Sequence, residues 1–345
     1  MERVNVENSF YARRDYLVDL ETARARVAAT LGVEVDEIAF TRGATEALQC
    51  LIGGYNRLKP GDTVMYADVD YPGMQYAMKW LADRRGVRVA RVTVPEPATR
   101  DNVVAAYAAA LDENPGVRLL LLTHLNNKTG LVLPVAAITA LARRRGADVI
   151  VDAAHAWGQI DFSVRDLGAD FIGFNLHKWI GAPIGVGVLY IRKGRVGDID
   201  RMMGDEDQPR DSILSRVHSG TVNFAAFLSV PAALDFHAAV GPAYKIARLR
   251  YLRNRWVSAA RGLPALDILT PDDPEMVGAI TSFRLHGRTS LEDNQRVVDD
   301  LRVRYGLFTV VRTGLERGAC VRVTPALYNG PADVDRLVAA LKRGK

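Results

Sequence analysis

At five places in this chain, polar residues stand directly behind an apolar run, and their types suit chemistry on a small anionic molecule. "NLHK" puts Asn175, His177 and Lys178 behind "FIGF", and "DAAHAWGQ" puts Asp152 and His155 behind "VIV". "THLNNKTG" carries Asn127 behind "RLLLL", "DVDYPG" carries Tyr71 behind "VMYA", and "TRGATEA" carries Gly43, Ala44 and Thr45 behind "IAF". A carboxylate such as Asp152, at the end of a strand covered on both faces, is costly unless a cation or a donor meets it. Lys178, at the end of a later strand, is a cation that could meet it. The two together also read as a structural salt bridge. Gly43, Ala44 and Thr45 leave bare backbone N–H groups at a positive helix end, where a phosphate would be held. The same residues equally describe a plain Thr cap followed by Glu46 in the first turn.

The elements that must position these residues alternate. Helix patterns at "ETARARVAATLG", "ATEALQCLIGGYNRL", "GMQYAMKWLADRRG", "RDNVVAAYAAALDEN" and "PVAAITALARRRG" are separated by the strand patterns "EIAFT", "DTVMYA", "VRVARVTV", "VRLLLLTH" and "DVIVDAA". The strands are read as continuous apolar runs, the pattern of strands buried on both faces. This predicts an α/β fold, a three-layer αβα sandwich around a mostly parallel sheet. In such a sheet ligands bind beyond the carboxyl ends of the strands, where the five polar clusters fall. After "VGVLYIR" a polar stretch at "GDEDQPRD" leads into a long helical region over about 224–262. Strands "AITSFRLHG", "FTVVRTG" and "ACVRVTP" with two further helices follow, and they predict a smaller C-terminal α+β domain. The expected division is an N-terminal arm at 1–20, a large domain at 21–245 and the small domain at 246–345.

Composition excludes several classes. The chain has 345 residues, 48% apolar and 25% charged, enough for a sizeable core. No run approaches the roughly eighteen apolar residues of a membrane span, and the polar start "MERVNVENSFYARRDY" does not resemble a secretory signal. A soluble, cytoplasmic protein without membrane contact is expected. Two cysteines, Cys50 and Cys320, supply neither a disulfide framework nor the paired spacing of a zinc site, and no metal is expected. The formal charge of +5 comes with short basic runs in helix patterns and no nucleic-acid module. Neither a Walker lysine motif nor GxGxxG after a strand is present, which disfavours a nucleotide enzyme.

The ordered motifs "GATEA", "HLNNKTG", "DAAHAWGQ", "NLHK" and "SGTVN", followed by "CVRVTPALYN", resemble the class V aminotransferase family of fold-type I pyridoxal-phosphate enzymes. Within it the chain resembles the isopenicillin N epimerase-like branch, related to the cysteine desulfurases, from about residue 20 to the C-terminus. The resemblance implies pyridoxal 5'-phosphate as cofactor, with Lys178 as the amine that condenses with its aldehyde and Asp152 facing its ring nitrogen. His155 and Asn127 would lie beside the ring's phenolate oxygen, and Tyr71 would stack on its face. Gly43, Ala44, Thr45, Asn175 and His177 would hold the phosphate, with Gly220 and Thr221 reaching across from a second subunit. A homodimer with shared sites follows from that. Arg322 would receive the substrate carboxylate in a bidentate geometry unavailable to lysine. The implied function is α-proton abstraction from an α-amino acid or amino-acid-containing metabolite, as in epimerisation; transamination and C–S or β-elimination are the alternatives on this scaffold. A non-catalytic binding module is the competing class.

Two departures accompany the resemblance. Cysteine desulfurases carry a nucleophilic cysteine on a loop ahead of the carboxylate arginine, whereas "VRTGLERGACVRV" runs almost directly from Arg312 to Arg322. Cys320 reads as a packing residue, and sulfur transfer is not expected. Family members usually also carry a further N-terminal segment with a glycine near the substrate; beside them this chain begins late, and either a trimmed segment or a differently built substrate mouth is expected.

Overall fold

The computed structural model describes residues 6–343. Its larger sheet has seven strands: β1 (Ile38–Thr41), β2 (Thr63–Ala67), β3 (Arg88–Val92), β4 (Val117–Thr123), β5 (Asp148–Asp152), β6 (Phe171–Asn175) and β7 (Gly187–Ile191). They lie in the order β1-β7-β6-β5-β4-β2-β3. All neighbouring pairs are parallel except those of β7, which runs antiparallel to both β6 and β1. The expected mostly parallel sheet is therefore found, with one reversed strand.

Strand β4 shows why the sheet needs helices on both faces. Leu120 and Leu122 point into one core layer, while Leu119 and Leu121 point into the other, and all four are fully buried. With period two, an unbroken leucine run serves both layers at about 1.5–3 kcal/mol per buried side chain. The helices are α1 (Asn8–Arg14), α2 (Tyr16–Leu31), α3 (Ala44–Gly54), α4 (Pro72–Arg85), α5 (Arg100–Glu113) and α6 (Val135–Arg144). Gly32, at φ 68°, ends α2 in the left-handed conformation that a side chain would disfavour. Strand β3 departs from the expected continuous run. Arg88, Val89 and Arg91 are exposed because β3 is an edge, where charge blunts further pairing.

The helical region after residue 223 is three helices: α7 (Phe224–Leu228), α8 (Val230–Val240) and α9 (Pro242–Ala260). Between Val240 and Pro242 the chain bends by 73°. Gly241 at φ 83° and the missing N–H of Pro242 account for that break. No single helix among the described residues is long and apolar enough to cross a membrane.

A second, antiparallel sheet follows, with β8 (Leu266–Ile268), β9 (Thr281–Leu285), β10 (Val310–Arg312) and β11 (Cys320–Val323) in the order β10-β11-β9-β8. The short edge strand β8 was not visible in the sequence pattern. Helix α9 packs with α10 (Leu291–Tyr305) and α11 (Pro331–Arg343) on this sheet through Leu252, Trp256, Val257, Leu301 and Leu337. Helix α10 begins at Ser290, whose hydroxyl accepts from the Asp293 N–H as an N-cap.

Candidate active site

Parallel topology brings strand ends together. Thr123 ends β4 opposite Asp152 at the end of β5, and Asp152 pairs in register with Gly173, two residues before β6 ends at Asn175. Lys178 is not on a strand as expected but in the turn three residues beyond it. Beyond these ends lies a cleft of about 650 Å³, into which α3 points its N-terminus. Its walls include Gly43, Ala44, Thr45, Tyr71, Asn127, Asp152, His155, Asn175, His177, Lys178 and Arg322. Of the cofactor and substrate residues expected from the sequence, only Gly220 and Thr221 lie outside it. Both are exposed, and Gly220 borders a separate cavity formed with Tyr16, Leu20 and Phe227.

Asp152 is buried, and burial raises its carboxyl above the usual range. One oxygen accepts from the Ala154 N–H at 2.9 Å, while the other meets no protein donor. Lys178 opens into the cleft, with its Nζ 3.0 Å from Nε2 of His155. Burial of the amine, reinforced by Arg322 and Arg312 and opposed by Asp152, lowers it to about 8. His155 is held well below its ordinary value, first by burial and then by Lys178 and the two arginines.

At the start of α3 the Ala44 N–H donates to Asn175 Oδ1 at 2.7 Å, and a Cβ on Gly43 would stand 3.3 Å from that same oxygen. Nδ1 of His177 donates to the Val186 carbonyl at 3.0 Å, which leaves Nε2 as its remaining polar atom. Tyr71 stands on the exposed rim, ahead of Pro72 at the first position of α4.

The opposite wall comes from the second sheet. Arg322 Nη1 donates to the Asn127 carbonyl at 3.0 Å, and burial lowers the guanidinium to about 10, still charged at neutral pH. Val310 pairs with Arg322, so Arg312, two residues further along β10, shares its face and also lines the cleft. The Nε atoms of both arginines are buried without a partner. Both side chains line the one cleft, and guanidiniums so placed have the geometry to receive a carboxylate.

The class V aminotransferase family model matches residues 3–337. The chain belongs to that family. An isopenicillin N epimerase from Amycolatopsis lactamdurans is 32% identical to it, over 94% of this chain and 84% of that protein. A cysteine desulfurase from Pectobacterium carotovorum is 29% identical over 94% and 82%. In fold the chain is similar to C-DES with glycine covalently linked to its PLP cofactor, at TM-score 0.84, 21% identity and 99% and 92% coverage.

Within this family member the sequence had left without a role one residue that lines the cleft, Arg312, and one beside it, Trp179. Arg312 had served only to mark the turn before Arg322; its place is visible once the β10–β11 hairpin register is known, and the sequence does not give that register. Trp179 follows Lys178 and looks like a packing residue. Its indole Nε1 lies 3.2 Å from Nδ1 of His155. Nothing in residue type or spacing signals that contact.

Proposed function

We propose that this chain is a pyridoxal-phosphate-dependent enzyme that removes the α-proton of an α-amino acid or amino-acid-containing metabolite, with epimerisation as the outcome. The observation that carries the proposal is the pairing of Lys178 and Asp152 across one cleft: an amine brought to about 8 and a buried carboxylate with one oxygen lacking a donor. The cofactor fits these residues. A protonated ring nitrogen supplies the donor that Asp152 lacks, and the cradle at Gly43, Ala44, Thr45, Asn175 and His177 suits its phosphate. When bound, the cofactor supplies an aldehyde for Lys178 and a ring that withdraws electrons from the substrate Cα.

The chain's own residues do the rest. Asp152 keeps the ring nitrogen protonated. His155 and Asn127 would lie beside the phenolate oxygen, and Tyr71 would cover the ring. Arg322 and Arg312 hold the substrate carboxylate and so orient the Cα–H bond toward Lys178. The Lys178 amine takes the proton from one face, and a proton delivered to the opposite face by solvent entering the cleft inverts the centre. Both cysteines are buried outside the cleft, with thiols raised to about 12 and about 11, so desulfuration through a protein thiol has no nucleophile in this chain. A neighbouring cavity of about 640 Å³ shares Lys178 and His155 and is walled by Ile180, Phe236, Leu249 and Leu327, which favours substrates with an apolar side chain.

In this reading residues 21–245 hold the cofactor, and residues 246–345 bring the arginines. Gly220 and Thr221, away from their own cleft, would complete that of a second copy. Protein purified with pyridoxal phosphate should show a visible absorption band that Lys178→Ala abolishes; a colourless protein that takes up no cofactor overturns the proposal. Incubation with amino acids in deuterated water should give α-exchange with loss of optical activity. Oxo acid as the main product would replace epimerisation by transamination, and oxo acid with ammonia would indicate elimination.

A further inference from the structure

His155 stands between two nitrogen-bearing neighbours, and only one arrangement of protons satisfies both. The indole N–H of Trp179 is a donor and nothing else. At 3.2 Å from Nδ1 it can be satisfied only if Nδ1 is bare. A neutral imidazole then carries its single proton on Nε2, which lies 3.0 Å from Lys178 Nζ. An Nε2–H group hydrogen-bonds an amine that offers a lone pair, whereas an ammonium, with three donors and no acceptor, would face it donor to donor. We propose that Trp179 fixes His155 as the Nε2–H tautomer and thereby shifts the Lys178 amine toward its neutral form.

The supports of the contact come from several directions. The Gln159 amide donates to the His155 carbonyl at 2.8 Å, while its own oxygen accepts from the N–H groups of Ala279 and Ile280. The Lys245 amine, on α9, donates to the Trp179 carbonyl. Gly158, at φ 85°, lets the Trp179 backbone approach to where any Cβ would be 2.9 Å from it. Both rings are therefore anchored through their backbones. The charged groups facing the pair do not replace this device. Asp152 favours the ammonium, Arg312 and Arg322 oppose it, and His177 and the same arginines act against a charged His155. Because burial already disfavours the imidazolium, the choice left to His155 is which nitrogen carries the proton, and Trp179 makes it. For the proposed function, on which this consequence rests, the chain presents a ready nucleophile to an aldehyde.

The test uses the full chain without cofactor. With ¹⁵N-histidine labelling, only six histidines contribute, and His155→Gln assigns the one of interest. Wild type should show Nδ1 unprotonated and Nε2 protonated, a result that needs no variant at Trp179. In Trp179→Phe the proton is free to move to Nδ1; a bare Nε2 then accepts from the ammonium. The Lys178 titration, followed by ¹³C-labelled lysine and assigned with Lys178→Ala, should rise by about one pH unit, the size of one hydrogen bond. In a His155→Gln background the same Trp179→Phe change should leave that titration in place, whereas a mere packing role would move it equally in both backgrounds. A protonated Nδ1 in wild type, or equal displacement in both backgrounds, overturns the inference. Failure to bind pyridoxal phosphate would sink the proposed function and leave these readings untouched.

Discussion

At the residue scale, the cleft is made of groups moved from their ordinary protonation. Lys178 is lowered to about 8, so below that pH its amine is largely protonated and cannot attack an aldehyde. The rate of cofactor capture, followed by stopped-flow absorbance, should therefore rise with pH through about 8 and level off above it. His177 is bound to give its Nδ1 proton to Val186, so its Nε2 donates to a phosphate only as imidazolium. Burial lowers its pKa, which disfavours that form until the phosphate arrives. Arg322 tests geometry against charge. Arg322→Lys keeps a cation but loses the planar fork, and KM for the amino acid should rise about tenfold or more while the visible band persists. An unchanged KM would remove Arg322 from substrate binding.

At the element scale, the strand ends and the start of α3 fit closely because residues there lack side chains. Gly187 pairs with Asn175 on one side and Thr41 on the other, and a Cβ on it would come within 2.5 Å of the Gly43 backbone. Gly187→Ala must push the start of α3 away from β7, at an overpacking cost of about 1–3 kcal/mol. A lower Tm together with weaker affinity for pyridoxal phosphate is expected, measured by calorimetry and by titration. A Tm loss with unaltered affinity would mean that the helix start does not hold the phosphate. Strands β4, β5 and β6 were legible because their apolar runs are long and both faces are covered. The edge β3 was legible as a strand though not its open side, while the three-residue β8 was not legible, since so few residues leave a weak pattern.

At the scale of the whole molecule, one glutamine ties the two sheets. Gln159 accepts from Ala279 and Ile280, on the approach to β9, while donating to the His155 carbonyl. Gln159→Leu strands two buried backbone donors, each costing about 1–3 kcal/mol, and loosens the wall that carries Arg322. Thermal unfolding should shift down and KM rise together. An intact KM in a destabilised protein would confine Gln159 to a structural role. The proposed dimer belongs at this scale as well. Sedimentation should give twice the 37.8 kDa chain mass, and Thr221→Ala should weaken cofactor affinity in the dimer. A monomer with full cofactor affinity would rule out shared sites.

The sequence by itself determined which residues end which strands. In a parallel sheet those ends come to the same side, so Asp152, Asn175, Lys178 and Asn127 were destined for one cleft before any coordinate was known. Local pattern carries that information, because each strand's length and its terminating polar residue lie within a few positions of each other. Only the tertiary structure decided which side chains face one another across the cleft. Arg312 joins Arg322 through the register of a hairpin, and Trp179 turns back onto His155 through a turn held by Gln159, Lys245 and Gly158. Those placements depend on contacts between residues far apart in the chain, and a one-residue change of register would undo them.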